Sequence, residues 1–163
     1  MPDGKLRAYV ELFAKEHLEG PFGFEFSFVI TKHDIGMESI TSFSTLANDG
    51  KEYMVAGVHL VKDAGGYFFR PYTIDKNDKS TFVTKWRKVP YKIGDKGVSR
   101  YDAFRTEKGK SMAIFFLNNQ YIGEGELRDD AQLIIGRVRG GGGYGDQTTG
   151  EVDISSNSWI LYR

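Results

Sequence analysis

Two carboxylates stand at alternate positions in Gly150-Glu-Val-Asp-Ile-Ser155. On a strand, Glu151 and Asp153 would point the same way, as acid/base chemistry with paired carboxyls requires. Ser155 occupies the next alternate position, so no third carboxyl continues the row. The simpler reading is an edge strand with Val152 and Ile154 turned inward. A second candidate is Arg137-Val-Arg-Gly-Gly-Gly-Gly-Tyr-Gly145, where backbone amides and two arginines could gather around an anion. It lacks the Gly-Lys-Ser/Thr ending of a phosphate loop, and no helical pattern follows it. It reads as a loop whose Arg137, Tyr144 and Asp146 offer charge, ring stacking and hydrogen bonds to a ligand at its rim.

The remaining polar groups are less organised. His17, His33 and His59 show no metal-ligand spacing and no adjoining nucleophile. Asp75, Asn77 and Asp78 open like a calcium loop, but its glycine and closing glutamate are missing, so a hairpin turn explains them. The aromatics are more suggestive. Tyr67, Tyr72, Trp86 and Tyr91 lie among Arg70, Lys85, Arg87 and Lys88, and partial exposure is expected for them. A ring flanked by polar groups is how a sugar is held. Trp86, Tyr72 and Arg70 therefore join Arg137, Tyr144 and Asp146 as candidate ligand-binding residues. Arg70, set in Tyr67-Phe-Phe-Arg-Pro71, could instead stack as a cation on an aromatic ring.

Elements must position these groups, and composition says which kind. The chain has 163 residues, enough for one domain over 1–163 with a sizeable core. It contains 12 Phe, 9 Tyr, 2 Trp and 20 Gly, a mixture that favours pleated surfaces joined by turns. No cysteine is present, which removes thiol nucleophiles, Cys-held metals and disulfides. Lys plus Arg and Asp plus Glu both number 22, without the basic excess of a nucleic-acid binder. Residues 1–5 lack a signal-peptide pattern, and no stretch approaches the roughly 18 apolar residues of a membrane span. A soluble protein without membrane insertion is expected.

Period-two alternation runs through most of the chain. Phe22, Phe24, Phe26, Phe28 and Ile30 share one side of a predicted strand. Further strands are expected at Glu38 to Leu46, Tyr53 to Val61, Tyr67 to Ile74, Thr81 to Tyr91, Tyr101 to Thr106, Gln132 to Val138, Glu151 to Ile154 and Trp159 to Tyr162. Within Thr81 to Tyr91, Phe82, Thr84 and Trp86 would share a face, and Pro90 argues for an edge. In Ser111 to Ile122, six apolar residues are cut by Asn118-Asn119 before Tyr121-Ile122. That pattern is a strand, a tight turn and a returning strand, because Asn tolerates left-handed backbone. Residues 5–18 fit a helical stripe (Leu6, Tyr9, Val10, Phe13, Leu18) and a strand (Ala8, Val10, Leu12, Ala14) about equally, and a strand is preferred.

Tyr101-Asp-Ala-Phe-Arg-Thr106, Glu107-Lys-Gly-Lys110 and Met112-Ala-Ile-Phe-Phe-Leu-Asn-Asn-Gln-Tyr121 form a succession that resembles the concanavalin A-like superfamily of lectins, glucanases and laminin-G-like modules. Glu151-Val-Asp-Ile154 and Trp159-Ile-Leu-Tyr162 suit its closing strands, and Asn119 stands where such modules usually carry Gly. The resemblance is one of pattern over about two thirds of the chain. It implies an all-β antiparallel sandwich (a jelly roll), with one N-terminal helix as the variant. Retaining glycosidases of the laminarinase and lichenase type in that superfamily carry Glu-x-Asp-x-Glu, from which Ser155 departs.

The expected function is a non-catalytic, lectin-like module for a glycan or glycosylated surface. Its alternatives are a hydrolase using Glu151 and Asp153, and a carrier of a small apolar ligand with a void between helix and sheet. No cofactor is expected, although a single structural calcium is compatible with the resemblance. A lectin-like mature or excised domain would be extracellular or at a cell surface. Ligand identity, oligomeric state and any parent chain are not written in these residues.

Overall fold

The computed structural model describes residues 9–13, 22–33, 38–46, 52–77, 79–128, 133–141, 150–153 and 159–162. Among the described residues there are strands and no helix. In chain order they are β1 (Tyr9–Phe13), β2 (Phe22–His33), β3 (Glu38–Leu46), β4 (Glu52–Asp63), β5 (Gly66–Ile74), β6 (Ser80–Phe82) and β7 (Lys85–Trp86). There follow β8 (Pro90–Tyr91), β9 (Lys96–Arg105), β10 (Ser111–Leu117), β11 (Gln120–Glu126), β12 (Leu133–Gly141), β13 (Gly150–Asp153) and β14 (Trp159–Tyr162). They build two antiparallel sheets. The first runs β1-β12-β3-β4-β5-β6 with β8 also on β5; the second runs β13-β2-β9-β10-β11-β7 with β14 also on β2. This is the expected sandwich, and the ambiguous N-terminal stretch contributes a strand, β1.

Alternation decides which side chains meet between the sheets. On β10, Ser111, Ala113, Phe115 and Leu117 are buried while Met112, Ile114 and Phe116 are half-buried on the other side. Val58 and Leu60 of β4 and Phe69 of β5 share one core cluster with Phe28, Ile30, Tyr101 and Phe115 of the second sheet. Each such large apolar side chain contributes roughly 1.5–3 kcal/mol through burial. At the centre Phe69 meets Phe28 edge-on at 5.5 Å and Tyr91 at 5.2 Å, the geometry aromatic quadrupoles favour.

Tyr91 also completes a broken ladder. The pairing of β2 with β9 ends at Val29 opposite Lys96, leaving Ile30 without a β9 partner. Its N–H donates to Tyr91 Oη at 3.1 Å, and its carbonyl accepts from Gly94 N at 2.8 Å. Tyr91 Oη in turn donates to the Asp95 carbonyl at 2.7 Å. Tyr91→Phe strands the Ile30 N–H, so equilibrium denaturation should show a loss of about 1–3 kcal/mol. Burial first of all raises the Tyr91 pKa above the ordinary 10.0. Because the folded value is raised, this stabilisation is intact below pH 10 and is lost as pH rises through the folded value. The Phe variant should show a shallower alkaline decline than the parent.

The hairpin at Asn118-Asn119 forms as expected, with φ of 49° and 62°, the left-handed pair of a primed turn. Asn118 Oδ1 accepts the Val98 N–H at 2.8 Å.

Three expectations are corrected. Thr81 to Tyr91 is three short strands: β6 and β8 pair with β5, whereas β7 pairs with β11 of the opposite sheet. The segment leaves its first sheet at Val83, which is buried and donates its N–H to the Pro71 carbonyl at 3.0 Å. The glycine tract is not wholly a loop, since Arg137 to Gly141 belong to β12 and pair with β1. Among the described residues, the stretch an apolar carrier would use as a helix contributes the strand β1, and Phe28, Phe69, Tyr91 and Phe115 pack together in the core.

Candidate functional site

Phe69 of β5 points into the core, so its neighbours Phe68 and Arg70, and Tyr72 beyond, lie on the outer side of the first sheet. Register then gathers their companions. Arg70 stands opposite His59, Tyr72 opposite Gly57, and Tyr72 opposite Phe82 on the other flank. Gly57 carries no side chain, and His59 leans over Tyr72 with ring centroids 4.2 Å apart and planes 24° from parallel. Phe82 meets His59 edge-on at 5.9 Å.

Trp86 reaches the same cluster from the opposite sheet. Its strand β7 pairs with Gly123 and Glu124 of β11. A β-carbon at Gly123 would stand 3.0 Å from Pro71 Cγ and 3.2 Å from Trp86 Cβ, so β11 approaches β5 closely at this glycine. Lys85 bonds Glu124 at 2.5 Å, and Lys88 bonds Asp63, holding the two ends of the 85–88 segment. Hydrogen bonding to Glu124 raises the Lys85 pKa, and the Lys88 hydrogen bond lowers that of Asp63. Both pairs are well solvated, so they position the segment more than they stabilise the fold. Trp86 stacks on Phe68 at 5.7 Å, and Lys88 lies 4.6 Å above the Phe68 ring.

Arg70 sits inside this aromatic frame. Its guanidinium carbon is 4.3 Å from the Phe82 centroid and 4.7 Å from that of Trp86, which is cation–π contact on two sides. The alternative sequence reading for Arg70, a cation stacked on an aromatic ring, is the arrangement observed. Beside the cluster, a groove of about 380 Å³ is lined by Phe82, Thr84, Lys85, Met112, Glu124 and Glu126. Its size falls within the range of small-ligand clefts.

The structure thus brings Arg70, Tyr72 and Trp86 together. Tyr72 and Tyr91 correct the exposure expected from their polar neighbours, at 2% and 6% exposed. His59 covers the first, and the interior takes the second. Arg137 occupies the cross-strand row Tyr72–Gly57–Ser42–Arg137, about 14 Å from Tyr72 at strand spacing. Tyr144 and Asp146 lie outside the described residues. Glu151 and Asp153 stand on β13 of the other sheet, opposite Lys32 and Val29, and so do not belong to this cluster. Asp75 Oδ1 accepts the N–H groups of Asn77 at 2.8 Å and Lys79 at 3.0 Å, the turn anticipated in place of a calcium loop. Sequence reasoning missed His59, Phe68 and Phe82. The signal available was that His59 alternates with the core positions Val58 and Leu60.

The two layers define a concanavalin A-like type of β-sandwich. A scan against protein-family models finds no match, and a search of curated proteins finds none either. Solved structures share the fold. An endo-β-1,4-glucuronan lyase from the fungus Trichoderma reesei aligns with a TM-score of 0.66 at 11% identity, covering 99% of this chain and 77% of that one. An alginate lyase variant in complex with an alginate trisaccharide gives 0.64 at 14% identity, over 94% and 71%. The metal-free carbohydrate recognition domain of Emp46p gives 0.63 at 12% identity, over 96% and 78%.

Proposed function

We propose that this protein binds a glycan on the outer side of its first sheet, next to the groove at Phe82, and does not transform it. The observation that carries this reading is the convergence of Trp86, Arg70, His59 and Phe82 at one place, from strands of both sheets. An aromatic ring face beside fixed polar donors suits a sugar, whose C–H face stacks while its hydroxyls hydrogen-bond. The fold likeness to a carbohydrate recognition domain and to two polysaccharide lyases supports the same ligand class. Arg137, on the same row as Tyr72, is proposed as the far end of the binding track.

A second reading, polysaccharide cleavage, has one observation in its favour. His59 and Tyr72, two groups able to move protons, stack beside an arginine. Against it stands the burial of Tyr72, which keeps its ring and hydroxyl from a substrate.

Calorimetric titration against a panel of neutral and acidic oligosaccharides should give saturable binding with the ligand recovered intact. No binding up to millimolar ligand would remove the proposal, and recovery of shortened chains would replace it with the second reading.

A further inference from the structure

Arg70 differs from the cations that hold a carboxylate among the described residues. Lys85, Lys88, Arg100 and Lys110 each hold a carboxylate. Arg70 is half-buried, and among the described residues it has no carboxylate partner and its covered Nε has no hydrogen-bond partner. Among the described residues its charge lies over two rings, those of Phe82 and Trp86. Arg87, close by on the 85–88 segment, is exposed and likewise without a carboxylate among the described residues. In a chain with equal numbers of acidic and basic residues, positive charge has been left locally uncompensated beside the aromatic platform.

Physical chemistry gives this arrangement a direction. Removing a cation from water is costly, and ring quadrupoles return part of that cost while leaving the charge unneutralised. A guanidinium clamped between two rings has also lost much of its rotamer freedom before any ligand arrives, so less entropy is lost on binding. Its planar fork matches a carboxylate or sulfate in two parallel hydrogen bonds. A neutral sugar would leave the charge unanswered.

We infer that the ligand is an acidic glycan, one whose carboxylate or sulfate pairs with Arg70 while a sugar ring lies against Trp86. This rests on the glycan-binding reading above and adds the charge of the ligand to it.

The test compares an oligouronate with the same oligosaccharide after carboxyl reduction, and with a sulfated oligosaccharide, on the whole chain. The parent protein should bind at least one of the two anionic forms about tenfold or more tightly than the reduced form, and that advantage should shrink as salt rises from 50 to 500 mM. Arg70→Gln should bind anionic and reduced forms alike. Which of the two anionic forms wins distinguishes carboxylate from sulfate. The salt series uses the parent protein, so it stands even if Arg70→Gln folds poorly. Equal affinity for charged and reduced forms would overturn the inference and leave glycan binding standing. An acidic preference that survives Arg70→Gln would overturn the role of Arg70. Binding of none of the three would remove both readings.

Discussion

Trp86→Ala should weaken oligosaccharide binding about 30-fold, a loss of roughly 2 kcal/mol of the size found for central aromatic anchors. The effect has two sources. The variant loses the stacking platform itself, and it removes one of the two rings that clamp Arg70 at 4.7 Å and 4.3 Å. Trp86→Phe restores a ring in the same place and should recover most of the affinity. The fold should survive both changes, because β7 has just two residues and Trp86 is half-buried against Phe68. Titration calorimetry with thermal unfolding on the same samples separates loss of the site from loss of the fold. Unchanged affinity in a folded Trp86→Ala protein would exclude this surface as the sugar platform.

Gly97→Ala should destabilise the sandwich by about 3 kcal/mol, at the upper end for overpacking a core. Gly97 lies directly across from Phe28, whose ring covers the glycine. A β-carbon there would fall 2.2 Å from Phe28 Cζ and 2.6 Å from Cε2, so the ring must move. It cannot move freely, since it packs against Phe69 at 5.5 Å and Tyr91 at 5.7 Å, which tie the two sheets together. Phe28→Ala should itself cost about 3–5 kcal/mol. The informative measurement is the double variant, because without the ring the added methyl group has room. In the Phe28→Ala background, Gly97→Ala should cost less than about 1 kcal/mol, a coupling expected of residues in direct contact. Additive losses would mean that the glycine is required for another reason.

Much of the fold was legible because alternation is a local signal. β3 and β14 fall on the expected residues, and the Asn118-Asn119 turn adopts the left-handed backbone its residue types allow. The 80–91 segment was not legible, since Phe82, Thr84 and Trp86 keep a period of two while the chain changes sheets. What decides that change is long-range: the Pro71 carbonyl takes the Val83 N–H, and Gly123 admits β7. Tyr91 misled for the same reason, as its hydroxyl finds the Ile30 N–H across a separation of 61 residues. At the site, Arg70 and Trp86 could be named from residue type and neighbours. His59 and Phe82 could not, because their membership depends on which residues face which across β4, β5 and β6.

The central claim is that the ligand lies on the Trp86–Arg70 surface and not elsewhere on the sandwich. An amide-resonance titration of the labelled protein with an acidic oligosaccharide tests this directly, since the chain has two tryptophans whose indole N–H signals report separately. Progressive shifts of the Trp86 indole and of amides at 57–59, 70–72 and 82–86, with the Trp159 indole unmoved, are the predicted result. Shifts centred on Glu151 and Asp153, or on the outer side of β9 and β10, would contradict it.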